Sequence, residues 1–256
     1  MPDHRVTLLS RYPRVDTPAW KRDLGARLLD DGLALSVAYS RAALADQFEA
    51  GVREFGPVGL IQRYAQLRRG SAAPSANGGS GEDPRTLAAW ARGHSLPVVE
   101  GRRLSDGTLQ DAIRDLRPDV IALVGADIVP AAVLAIPRVA TLNAHYGLLP
   151  AYRGMNVTEW SLYRGDPIGV TVHVVEAGID TGDILLREEI PVESGDTLES
   201  LRAKHQRVAA MLLRRAIVGM LDGSLERVEQ GPEDGRQYFR MHPELRRTVE
   251  ARLAER

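Results

Sequence analysis

Residues 117–125 read Arg-Pro-Asp-Val-Ile-Ala-Leu-Val-Gly, an apolar run bracketed by proline and glycine. A strand with one wet face alternates apolar and polar side chains, so a continuous apolar run predicts a strand covered on both faces. Its surroundings point the same way. Residues 6–10 read as a short buried strand, and Thr17-Pro18 as the cap and first residue of a helix closed by Gly32. Residues 33–39 follow as a strand, and 42–69 as a helical segment broken at Gly56-Pro57. Residues 85–93 are expected to be helical, 96–99 extended and 108–116 helical. This alternation predicts an α/β fold with a mostly parallel, Rossmann-like sheet and a ligand crevice at the carboxyl ends of its strands.

At 256 residues and 44% hydrophobic composition, the chain can bury one sizeable core. A net charge of -1 gives no global attraction for nucleic acid or an anionic membrane. Without cysteine, thiol nucleophiles, disulfides and thiolate metal sites are excluded. There is no His-Glu-x-x-His helix either, so no metal is expected. Lys21 and Lys204 are the two lysines, which limits Schiff-base chemistry to them. No apolar run approaches the roughly 20 residues of a membrane span, and the N-terminus shows no apolar leader, so a cytoplasmic protein is expected.

Residues 70–84 are rich in Gly, Ser, Ala, Pro and Asn and read as a flexible loop or linker. Beyond residue 154 the pattern changes. Residues 169–176 and 183–192 form two strands joined by a short hairpin-like loop, and Asp196 with Glu199 marks a capping-box-like start to a helix closing near Gly223. The expected organisation is a catalytic domain over 1–223 and a C-terminal strand and helix extension over 224–256.

Asn143-Ala144-His145 stands at the end of another apolar run, followed by Gly147-Leu-Leu-Pro150 and Tyr152-Arg-Gly154. In an extended strand, side chains two apart share a face, so the Asn143 amide and His145 imidazole can converge on one polar group such as a carbonyl. Taken alone, Asn-x-His is more often a strand-end cap. The blocks Gly169-Val-Thr-Val-His173 and Gly178-Ile-Asp180-Thr-Gly-Asp-Ile-Leu follow in order. Together these segments resemble the folate-dependent formyltransferase family, which includes methionyl-tRNA, glycinamide ribonucleotide and sugar-nucleotide N-formyltransferases. The resemblance covers roughly residues 117–223, and the ordered set is more specific than any one motif.

The resemblance implies that Asn143, His145 and Asp180 act on 10-formyltetrahydrofolate, with the donor held by Gly125, Ala126, Asp127, Ile128, Val129, Gly178 and Ile179. The chemistry of these side chains is consistent with that. An amide N–H and an imidazolium are donors suited to the oxyanion of an attacked formyl group, and an aspartate beside His145 would raise the imidazole pKa. Arg11, Tyr12, Arg153 and Thr171 are weaker candidates for contacts to the acceptor. Arg153 could equally clamp loop carbonyls, and His173 could equally be a core histidine. Ala126-Asp127 departs from the family pattern, which leaves a related one-carbon or acyl donor open, and Gly147 stands where serine is common, a departure that bears on the acceptor side.

The expected function is transfer of the formyl group to an amine on a small molecule: an amino sugar nucleotide, or an amino or hydroxylamino group of a specialised metabolite. Transfer RNA is disfavoured because family members acting on it carry a longer basic C-terminal domain. Glycinamide ribonucleotide is disfavoured because Ser10-Arg-Tyr-Pro-Arg14 stands where a glycine-rich turn is usual. A 10-formyltetrahydrofolate hydrolase and a non-catalytic binding module are the alternatives, and homodimer formation is left open.

Overall fold

The computed structural model describes residues 4–11, 19–40, 86–126, 128–231 and 233–256. The Thr17-Pro18 cap, the segments expected over 42–69 and 70–84, and candidates Tyr12 and Asp127 lie outside them. The first half alternates as expected. Strands β1 (Arg5–Arg11), β2 (Ala34–Ser40), β3 (Val98–Gly101), β4 (Val120–Leu123) and β5 (Ala140–His145) are all parallel. Strands β7 (Ile168–Val174) and β8 (Ile184–Ile190) add on antiparallel, giving the order β3-β2-β1-β4-β5-β7-β8 among the described residues. The sheet is mostly parallel and Rossmann-like.

Alternation along the strands explains how both faces are covered. Val6, Leu8, Val120, Ala122 and Leu142 point to one core with Leu24 and Leu28 of α1 (Ala19–Asp30) and Leu212, Leu213 and Ile217 of α6 (Leu198–Asp222). Leu9, Ile121 and Leu123 point to the other, where Leu109 and Ile113 of α3 (Gly107–Asp115) and Val133 of the single turn α4 (Ala131–Leu134) cover them. The short α2 (Leu87–Gly93) is capped by Thr86, whose hydroxyl accepts from the Ala89 N–H. Gly32 and Gly223, in left-handed conformation at φ +78° and +72°, end α1 and α6.

The start of α6 corrects the expected cap by one residue. Thr197 is the N-cap and Ser200 its reciprocal partner, while Asp196 lies just outside and pairs with Lys204 at 2.7 Å. Helix α5 (Val157–Arg164) was not expected, since Val157, Thr158, Trp160 and Tyr163 are poor helix formers at about 0.5 kcal/mol each, although Asn156 and Gly165 bracket it. Burial of Val157 and Leu162, roughly 1.5–3 kcal/mol apiece, outweighs that deficit.

The C-terminal segment packs into this same core through buried Met241, Val249 and Leu253, the last two on α7 (Pro243–Ala254). Its strand β9 (Arg236–Tyr238) pairs in parallel with β6 (Tyr152–Gly154). Among the described residues, no helix is long and apolar enough to cross a membrane.

Candidate active site

The parallel sheet brings Leu123 of β4 level with Asn143 of β5, and antiparallel pairing brings Asn143 level with His173 of β7. Asn143 and His145 thus share the carboxyl edge of the sheet. Asp180 reaches them from the β7–β8 loop. Its Oδ2 lies 3.4 Å from His145 Nδ1, and its Oδ1 lies 3.4 Å from His173 Nε2. Asn143 Nδ2 is 3.3 Å from that same His173 nitrogen, so the amide and the carboxylate meet at one ring nitrogen, which accepts from the amide when bare and donates to the carboxylate when protonated.

The loop holds Asp180 rigidly. Its φ of +53° is left-handed, a conformation that aspartate tolerates better than most residues. The Gly154 N–H donates to Oδ2 at 2.8 Å, and Gln230 Nε2 donates to the Asp180 carbonyl at 3.2 Å. Gly154 itself has φ +95°, and a Cβ there would run into the Tyr238 carbonyl, so both position and conformation require glycine.

His145 is 7% exposed, and its Nε2 donates to the Tyr152 carbonyl at 2.8 Å. With Nδ1 beside Asp180, both ring nitrogens face protein acceptors, and only an imidazolium satisfies both. Burial nevertheless lowers the His145 pKa, and the Asp180 charge restores only part of it. Asp180 thus acts in the expected direction, and desolvation, the larger effect, opposes it. For Asp180, burial favours the neutral acid, but the His173 hydrogen bond, the His145 charge and the Gly154 N–H together hold its carboxyl at about 2.

A cavity of about 520 Å³ opens against these groups. Gly125, Ala126, Ile128 and Val129 form one wall, and Gly178, Ile179 and Asp180 another. Sequence reasoning missed the third wall: Met155, Gln237, Tyr238 and Phe239, the last three from the C-terminal segment. Ile128, Met155, Ile179 and Phe239 are 83%, 51%, 38% and 70% exposed, and apolar exposure of that size gathered at one cavity marks a binding site. Tyr238 is fixed by stacking on Tyr152, with ring centroids 5.0 Å apart.

Two acceptor candidates are placed elsewhere. Arg153 is buried and donates to Gln230 Oε1 at 3.2 Å and the Gly231 carbonyl at 3.1 Å, so it clamps the C-terminal segment. Thr171 has no exposed surface; its hydroxyl donates to the Gly147 carbonyl and accepts from the Leu149 N–H, shaping the turn after β5. Arg11 ends β1, its N–H donating to the Gly125 carbonyl at 2.9 Å. Gly147 is tightly enclosed. A Cβ there would lie 2.8 Å from Val157 Cγ2, 2.9 Å from His145 Nε2 and 3.0 Å from the Tyr152 carbonyl oxygen.

An amide, two imidazoles and a carboxylate at the carboxyl edge of a doubly covered, mostly parallel sheet form the layout of an α/β group-transfer site. The profile of the family described as "Formyl transferase" matches residues 76–217, more than half of the chain, and the chain belongs to that family. The methionyl-tRNA formyltransferase of Stenotrophomonas maltophilia K279a is 36% identical over 183 residues, covering 70% of this chain and 57% of that protein. The chain spans about half the length of the curated relatives it matches. Among solved structures, an N-formyltransferase from Helicobacter canadensis in complex with folinic acid and dTDP-3-aminofucose superposes with a TM-score of 0.61. It is 14% identical, covering 98% of this chain and 80% of that one. A phosphoribosylglycinamide formyltransferase from Anaplasma phagocytophilum also gives 0.61 at 17% identity, covering 93% and 100%. At such identities, these structures speak to the fold.

Proposed function

We propose that this protein transfers the formyl group of 10-formyltetrahydrofolate to an amine on a small molecule, with Asn143, His145 and Asp180 as the acting groups. The observation that carries the proposal is the Asp180 carboxylate standing 3.4 Å from both imidazoles, one of which bonds Asn143, at the wall of the 520 Å³ cavity. A folate-type donor suits that cavity, because a flat ring system needs apolar faces, and Ile128, Met155, Ile179 and Phe239 present them. The folinic acid bound by the Helicobacter canadensis relative supports the same donor. When bound, the donor supplies an activated formyl carbon.

Asn143 has an N–H beyond the one facing His173, free to donate to an oxyanion formed on that carbon. As an imidazolium, His145 donates to the same oxygen through Nε2 by leaving the Tyr152 carbonyl, while its Nδ1–H faces Asp180. Asp180, ionised at all ordinary pH, is also placed to take the proton that the attacking amine sheds, directly or through a water. The acceptors favoured are an amino sugar nucleotide and an amino or hydroxylamino group of a specialised metabolite.

The test is to incubate the chain with 10-formyltetrahydrofolate and a panel of amines, with water as a control acceptor, following tetrahydrofolate release and product mass. Release of formate alone would convert the reading to a hydrolase. Donor binding without consumption, unchanged in His145→Ala, would convert it to a binding module.

A further inference from the structure

A second cavity, of about 190 Å³, lies on the other side of His145 and shares only that residue and Gly154 with the first. The two are chemically unlike. The larger is rimmed by exposed apolar side chains, whereas Tyr146, Asn156, Thr158, Glu159, Arg202 and His205 line the smaller. At about 30 Å³ per water, it holds roughly six waters, the bulk of a short aliphatic chain with a polar end.

Glu159 gives this cavity its chemistry. It is 5% exposed, and Asn156 Nδ2 donates to Oε1 at 3.2 Å. No cation pairs with it among the described residues. A buried carboxylate is costly unless opposite charge or several donors meet it. Its place in the first turn of α5 lets the helix dipole offset only part of that cost. The two rings beside it add no positive charge. His205, with Nδ1 committed to the Leu201 carbonyl at 2.7 Å, is kept neutral mainly by burial, and burial pushes the Tyr146 phenol up to about 12. Arg202 lines the same cavity from an exposed position, with no carboxylate partner among the described residues.

We propose that this cavity is the acceptor subsite, binding the primary amine of a small zwitterion against Glu159 and its carboxylate against Arg202. The proposal rests on the formyl-transfer reading and narrows it to an amino-acid-type acceptor. The amine enters as an ammonium and passes one proton to Glu159 or to water. Its nitrogen then bonds the formyl carbon at the His145–Gly154 junction, the bond from that carbon to the donor nitrogen breaks, and the second amine proton goes to the departing nitrogen. Formamide, tetrahydrofolate and one released proton balance the step.

The probe is δ-aminovalerate, compared with pentylamine, which lacks the carboxylate, and valerate, which lacks the amine, with binding measured calorimetrically on the full chain. δ-Aminovalerate is expected to bind at least 10-fold more tightly than either, and Glu159→Gln to weaken it by at least 10-fold while folate binding is unchanged. Arg202→Gln, on an exposed side chain, should erase the preference over pentylamine, which keeps the test open if Glu159→Gln does not fold. Equal binding of valerate, or both variants binding as the parent does, overturns the subsite. Because binding is read without turnover, loss of formyl transfer with retained amine binding would count against the catalytic reading alone.

Discussion

Asn143 and His173 stand opposite each other in the β5–β7 register, with Asn143 Nδ2 3.3 Å from His173 Nε2. The His173 ring is anchored from its other side, where Nδ1 donates to the Val174 carbonyl at 2.7 Å. His173 is 2% exposed and lies between the Asn143 amide and the Asp180 carboxylate, where it can position both for the proposed reaction. Displacing a catalytic group by about 1 Å costs on the order of 100-fold, so His173→Ala should lower kcat by roughly 10- to 100-fold. KM for the donor should move little. Steady-state kinetics test this; a change confined to KM would show that His173 serves binding instead.

Asp180→Asn should reduce turnover by about 100-fold or more, the scale of a lost proton-transfer group. The same variant has a pH signature. The Asp180 carboxyl is held at about 2, below its unfolded value, so its contribution to stability is present above about pH 4 and lost as pH falls through 2. That contribution is on the order of 2 kcal/mol, and urea unfolding between pH 5 and 2 should show a shallower slope in the variant. Removing the carboxylate charge also lowers the His145 pKa further, which an NMR titration of the imidazole reads directly.

Gly147→Ser should destabilise the fold by about 1–3 kcal/mol, the usual cost of overpacking. The new Cβ would press on Val157, His145 and the Tyr152 carbonyl together, so activity should fall alongside stability. Thermal unfolding of the variant decides the matter. An unchanged midpoint with altered acceptor preference would mean that this position faces ligand.

Phe239→Ala removes a side chain that is 70% exposed at the cavity rim. Stability should stay within about 0.5 kcal/mol, as for most surface changes. Donor affinity should fall by roughly 10-fold, the order lost when a stacked or buried aromatic contact is removed. Fluorescence titration with folinic acid measures this, and equal affinity for parent and variant would exclude Phe239 from the donor site.

The elements of the first half were legible because alternation and apolar runs are local signals. Asn143 and His145 were legible for the same reason, as two residues on one strand face. Asp180 came from the ordered blocks of the family resemblance, since nothing local links it to β5. Gln230 and Phe239 left no signal, and the Tyr152-Arg-Gly154 block gave none for the Tyr152 carbonyl: a long-range hydrogen bond, a surface position and a backbone acceptor have no periodicity. The net direction of the His145 pKa was not legible, because spacing reveals a nearby charge but not the depth at which the ring is buried.

The β6–β9 pairing places Gly154 between Asp180 and Tyr238, so two walls of the cleft meet at one peptide group. During synthesis the residues of β9 leave the ribosome after Asn143, His145 and Asp180. A nascent chain therefore carries every proposed acting group before it has the strand that closes the cleft. Donor affinity should consequently appear only once β9 has been made and paired, with folate offering little help to the folding of the residues before it.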